Sequence, residues 1–93
     1  MTIRSFNCAD TEALYEGKKS KRFRNIEAVA QRKLQMLDDA VELRDLVSPP
    51  GNRLEALSGN RIGQHSIRIN AQWRVCFVWT DAGPDRVEIV DYH

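Results

Sequence analysis

Two β-rich runs, Gln64 to Ile69 and Trp73 to Thr80, stand only a few residues apart in this chain. Strand side chains alternate between faces, so a slip of one residue in the pairing exchanges the faces of a whole strand. A two-residue loop at Ala71-Gln72 sets Ile69 opposite Arg74 and mixes apolar with charged side chains on each face. A three-residue loop, Asn70-Ala71-Gln72, sets Ile69 opposite Trp73, Ile67 opposite Val75 and His65 opposite Phe77. The second register gathers Ile67, Ile69, Trp73, Val75, Phe77 and Trp79 on one face. It leaves Ser66, Arg68, Arg74 and Cys76 on the other. The chain is therefore expected to build a hairpin with one apolar face to cover and one uncovered polar face. A third run, Arg86 to Tyr92, has strand propensity. Asp81-Ala82-Gly83-Pro84-Asp85 reads as the turn before it.

The cover comes from the first half. From Asn25 a helix is expected to about Val41, because Ile26, Val29, Ala30, Leu34, Leu37 and Val41 recur at spacings of three and four. A shorter helix, capped by Asp10 or Thr11, runs to about Glu16 with Gly17 at its end. Thr2 to Phe6 reads as a short strand, with Ile3 and Phe6 available for burial. Glu42 to Val47 adds a helical turn before Ser48-Pro49-Pro50-Gly51 stops it. Asn52 to Gly59 then opens the sheet, with Leu54 and Leu57 as buried candidates. At 93 residues one domain over 1–93 is expected. Its class is α+β, helices packed on one face of a mainly antiparallel twisted sheet.

Composition narrows the class of partner. No stretch approaches the roughly 20 apolar residues of a membrane span, and the polar start Met1-Thr2-Ile3-Arg4 is not a secretion signal. A cytoplasmic protein without a membrane partner is expected, with Cys8 and Cys76 as free thiols. The formal net charge is only +1, but the charges are unevenly placed. Lys18, Lys19, Lys21, Arg22 and Arg24 crowd one loop, and Arg53, Arg61, Arg68, Arg74 and Arg86 punctuate the second half. A nearly neutral chain can still carry a basic face. Two histidines without clustered cysteines have no metal-site spacing, and no phosphate-cradling glycine loop is present, so neither a metal nor a cofactor is expected.

The chosen register puts Arg68 and Arg74 directly across from one another. Like charges in that position destabilise a sheet, so the pair points either to an anionic ligand or to pairing with Glu55, Glu88 or Asp91. A guanidinium suits phosphate through its bidentate geometry. The sequence closes on Asp91-Tyr92-His93, a carboxylate, a phenol and an imidazole at the end of a strand. Alternation sends Asp91 and His93 to one side and Tyr92 to the other unless the strand end twists. His65, facing the apolar side, reads as a half-buried structural histidine. Trp73 and Trp79 read as core.

The ordered set Leu57-Ser58-Gly59-Asn60-Arg61 with Gly63, Ser66-Ile67-Arg68-Ile69-Asn70, Gln72-Trp73-Arg74-Val75-Cys76-Phe77 and Asp91-Tyr92-His93 resembles the HigB toxins of bacterial toxin–antitoxin modules, within the wider RelE/ParE superfamily. The two-helix start and Pro49-Pro50-Gly51-Asn52-Arg53-Leu54-Glu55-Ala56-Leu57 extend the resemblance over nearly the whole chain. It implies ribosome-dependent messenger RNA cleavage, restrained by a HigA-like antitoxin. Metal-free cleavage needs a base for the 2′-hydroxyl, an acid for the leaving 5′-oxygen and a cation on the phosphate. Arg74, with Arg68 beside it, is the expected cation. His93 titrates near neutrality as a residue type, Asp91 acts as base or orients the imidazole, and Tyr92 stacks on a base. Some HigB proteins carry a histidine where this chain has Glu55-Ala56, so Glu55 either replaces that imidazole or pairs with Arg53 or Arg61. Arg61, Arg53, Lys18, Lys19, Lys21 and Arg22 are the expected contacts to RNA phosphates. A ParE-like toxin acting on DNA gyrase, or an inactive member kept for antitoxin binding, is the alternative.

Overall fold

A computed structural model of the chain describes residues 2–91. Four strands form an antiparallel meander in the order β1-β2-β3-β4: β1 Glu55–Ala56, β2 His65–Arg68, β3 Trp73–Thr80 and β4 Gly83–Asp91. Two helices, α1 Ala9–Tyr15 and α2 Glu27–Asp39, precede the sheet and pack on its apolar face.

The hairpin takes the three-residue loop. His65 pairs with Phe77, Ile67 with Val75 and Arg68 with Arg74. Asn70 explains the loop length: its side-chain oxygen accepts the amide hydrogens of Gln72 and Trp73, each at 2.8 Å. Such a side-chain turn satisfies donors that a shorter loop would leave open. On the covered face Ile67, Val75 and Phe77 are fully buried and meet Leu14, Phe23, Leu34 and Leu37 from the helical half. Trp73 and Trp79 pack at the margin of this core, half-buried.

The helix ends differ from expectation, and the reasons are local. Gly17, at φ 85°, closes α1: its amide donates to Leu14 (3.1 Å), while the Lys18 amide reaches back to Ala13 (2.9 Å). This paired arrangement satisfies the last carbonyls and needs a residue in the left-handed region. Neither Asp10 nor Thr11 caps the start, because α1 begins at Ala9. Thr11 is instead buried, and its hydroxyl accepts the Ile89 amide at 3.0 Å, fastening α1 to β4. The longer helix starts as a 3₁₀ turn at Arg24–Ile26 and becomes α-helical at Glu27. It stops at Asp39, so Val41 is not in its stripe and is 65% exposed. Asp45 causes the stop: its carboxylate takes the amides of Val41 and Glu42 at 3.0 and 2.9 Å, capping the next turn, Leu43–Val47.

At the other edge, the long turn before the last strand shrinks to Asp81-Ala82, with Gly83 and Pro84 already in β4. Arg86 and Val87 face the single residue Phe77 as a bulge, and Arg86 takes φ 52°. The chain start explains that irregularity. Arg4 donates to the Pro84 carbonyl (2.7 Å), Val87 to Ser5 (3.0 Å) and Asn7 to Val87 (3.0 Å), so residues 4–7 lie parallel along β4. The Ser5 hydroxyl bonds Asp85 and also accepts the Arg86 amide. The expected first strand thus exists as an edge segment rather than a full ladder. A bulge bends a strand and re-aims its groups, here toward the segment that covers its edge.

Candidate functional site

Directly paired residues of an antiparallel sheet share a face. Glu55 pairs with Ser66, Arg68 with Arg74, Cys76 with Glu88 and Arg74 with Val90. Glu55, Ser66, Arg68, Arg74, Cys76 and Glu88 therefore stand together on the face away from the helices. Trp73 pairs with Asp91, so Asp91 belongs to the opposite face. There its carboxylate accepts a hydrogen bond from Gln72 Nε2 at 3.1 Å. Tyr92 and His93 lie outside the described residues.

The face away from the helices is not uncovered, which corrects the expectation. Ser66 and Cys76 are fully buried and Arg74 is 8% exposed. Residues 53–64 supply the cover. Arg74 Nη2 donates to the Arg53 carbonyl at 2.8 Å and lies 3.4 Å from Glu55 Oε1, while Nε donates to Ser66 Oγ at 2.7 Å. Arg53 offers that carbonyl from a left-handed backbone, φ 45°; its own side chain is exposed. Arg61 Nη1 bridges Gln64 Oε1 (3.1 Å) and Glu88 Oε1 (2.8 Å). The bond to Glu88 holds the Arg61 guanidinium firmly charged. Burial raises the Cys76 thiol to about 11, which leaves it neutral near pH 7 and unsuited to nucleophilic attack.

The two arginines of the pair are thus unlike. Arg74 is pinned by neutral and acidic partners. Arg68 is half-exposed and makes no ion pair or hydrogen bond among the described residues. Among the described residues it is the open cation of the pair, with the Arg74 guanidinium as its fixed neighbour. The sequence reading missed Ser66 as the hydroxyl that orients Arg74, although its place beside Arg74 on the same face was already legible.

The basic loop reaches the sheet at the other face. Phe23 is fully buried and meets Trp73 edge-on at 5.4 Å. The Arg22 guanidinium sits 5.1 Å from the Phe23 ring and 5.8 Å from the Trp73 ring. Trp73 is the strand partner of Asp91, so Arg22 and the end of β4 are brought to the same margin of the sheet. Lys18 lies 3.2 Å from Glu16 in an exposed pair, an arrangement worth little in water. Lys19 and Lys21 are exposed. His65 stacks on Phe77 at 6.3 Å with Nδ1 buried and without a partner, consistent with a structural side chain.

This architecture has relatives. The profile of RelE-like toxins of type II toxin–antitoxin system HigB matches residues 4–93. The chain belongs to that family. It is 47% identical to "Toxin HigB-1" of Vibrio cholerae serotype O1 over 72 residues, 75% of this chain and 76% of the relative. An uncharacterized protein of Haemophilus influenzae is 40% identical over 53 residues, 57% of this chain and 52% of that one. A YoeB/ParE toxin from Agrobacterium tumefaciens shares the fold at a TM-score of 0.57 and 19% identity, each chain covered in full. As a HigB-like toxin of a type II module, the protein has an antitoxin as its partner. No helix among the described residues is long and apolar enough to cross a membrane.

Proposed function

We propose that this HigB-like toxin is a ribosome-dependent endoribonuclease that cuts messenger RNA without a metal and is silenced by a HigA-like antitoxin. One observation carries the reading: the Arg68–Arg74 cross-strand pair, in which Arg74 is held by Ser66, Arg53 and Glu55 while Arg68 has no polar partner among the described residues. In the proposed reaction the 2′-hydroxyl attacks the adjacent phosphorus, a P–O bond forms, and the bond to the 5′-oxygen breaks. Negative charge builds on the phosphoryl oxygens as this happens, and preorganised guanidinium groups stabilise it without reorganising. Glu55, on the same face, is assigned the proton of the 2′-hydroxyl. His93 is assigned the proton delivered to the 5′-oxygen, a step that suits a group titrating near neutrality. Asp91, which stands on the Trp73 face, is assigned to positioning and Tyr92 to stacking on a base; the role of His93 requires the strand end to twist toward the arginine pair.

The test is an in vitro translation reaction with 5′-end mapping of the messenger. Arg68→Ala and His93→Gln are expected to lower the cleavage rate by about 10²-fold or more with an unchanged unfolding midpoint. Arg74 variants are less decisive, because that side chain also ties β2 and β3 to residues 53–55. Cleavage at the wild-type rate in both variants would sink the assignment. Gyrase-dependent DNA damage with no RNA cuts would transfer the chain to the ParE-like reading, and neither effect would mark an inactive, antitoxin-binding member.

A further inference from the structure

Arg74 takes one of its bonds from a strained position. The Arg53 carbonyl, which accepts from Arg74 Nη2 at 2.8 Å, belongs to a non-glycine residue in the left-handed region, at φ 45° and ψ 54°. Such a backbone persists only where its surroundings over-determine it. Just before it, the short turn Pro50–Asn52 is closed by two amides: Asn52 donates to Pro49 at 2.9 Å and Arg53 to Pro50 at 3.1 Å. The Asn52 side chain, fully buried, fastens that turn. Its nitrogen donates to the carbonyls of Leu46 and Ser48, and its oxygen accepts from Lys33 on α2. An ammonium can only donate and a carbonyl can only accept, so Lys33 dictates which way this amide faces.

Lys33 is a costly choice if only the fold is served. It is 8% exposed, and among the described residues no carboxylate lies within ion-pair distance of it. Burying an ammonium against neutral partners costs stability, and an apolar side chain of similar volume often does as well or better. Its position in the fold suggests a second task. Helix α2 packs on the apolar face of the sheet, whereas Arg74 stands on the opposite face; residues 46–55 join the two around the edge strand β1. We propose that Lys33 and Asn52 are positioning residues for the arginine pair. They lock the backbone at Arg53, so that its carbonyl, with Glu55 two residues on, fixes the Arg74 guanidinium against the transferring phosphate. Neither residue touches the reacting atoms. The proposal rests on the reading of the pair as the phosphate site of a nuclease, because preorganised charge stabilises a transition state only while it is held in place.

The experiment uses the full chain and two readouts, the translation reaction and the NMR signal of the Arg74 Nε–H. That group is buried and donates to Ser66, so it exchanges slowly enough to be followed in a proton–nitrogen correlation spectrum. Lys33→Met is the decisive variant, because it removes the ammonium, keeps the volume and avoids the unfolding risk of Asn52 substitutions. It is expected to move the Arg74 signal and to lower kcat by about tenfold, with KM within about twofold of wild type. Its thermal midpoint should equal or exceed that of wild type, since a buried ammonium is removed. Tyr15→Phe removes a different hydrogen bond to α2, the one to Asp38, and should leave both the Arg74 signal and kcat unchanged. A purely structural lysine would not separate activity from stability in this way. An unmoved Arg74 signal in Lys33→Met, an equal displacement in Tyr15→Phe, or a moved signal with wild-type kcat each overturns the proposal. A wild-type chain that cuts no RNA refutes the nuclease reading itself; the Arg74 signal then still decides whether Lys33 positions the guanidinium.

Discussion

Arg74 shows how one side chain can serve the fold and the proposed chemistry together. Its contacts to Ser66, the Arg53 carbonyl and Glu55 help to take up a guanidinium that its burial removes from water. A buried charge is tolerated only when so paired. Cys76, on the same face, illustrates the opposite solution. Burial raises its thiol to about 11, so the neutral form is kept. A maleimide or iodoacetamide reaction at pH 8 is expected to label Cys8, which is half-exposed, and to spare Cys76. Equal labelling of both thiols in the folded protein would contradict this. The same shift predicts a stability change at high pH. The raised folded pKa means that the unfolded thiol ionises first, so stability is intact below its ordinary pKa near 8.5 and is lost as pH rises toward about 11.

At the scale of elements, the joint between α2 and the loop before β1 depends on a buried polar cluster. Asn52 is fully buried; its amide nitrogen donates to the carbonyls of Leu46 (3.1 Å) and Ser48 (3.4 Å), and its oxygen accepts from the Lys33 ammonium. Burial, with Arg32 nearby, lowers the pKa of Lys33. Asn52→Ala leaves those carbonyls and the ammonium without their partner, and should destabilise the protein by about 2–4 kcal/mol in urea unfolding. A loss under about 0.5 kcal/mol, the range of ordinary surface changes, would show that water replaces Asn52. The helices also show where legibility in sequence ends. The apolar spacing of α2 was readable up to Leu37, because burial on a helix follows its own period. Its stop was not, because the side chain that takes the next amides, Asp45, lies beyond the periodic segment. Thr11 was equally misleading: a good cap by residue type, it is used instead on a strand 78 residues away.

For the whole molecule, the chain start is the clasp. Residues 4–7 run along β4, Ile3 is buried, and the Ile3 amide donates to Asp38 at 2.8 Å, an acceptor shared with the Tyr15 hydroxyl at 3.0 Å. Burial, then the bond to Asp38, raises the Tyr15 pKa. Removing residues 2–7 would bare the β4 edge, and unpaired edges template association. Concentration-dependent oligomers in size-exclusion chromatography with light scattering are the expected outcome. A truncated chain that stays monomeric would show that the bulge at Arg86-Val87 protects the edge unaided.

What the sequence determined by itself was the part written in local periods. The hairpin register, the split between apolar and polar faces, the Arg68–Arg74 pairing and the two-helix cover follow from alternation and helical spacing over short stretches. Tertiary structure decided the rest. Whether the second face was open depended on residues 53–64 folding back over it, and those contacts carry no period in the strands they cover. They closed around Arg74 and Cys76 and left Arg68 outside. Periodicity assigns a side chain to a face; only long-range packing decides whether that face meets water, another segment or a ligand.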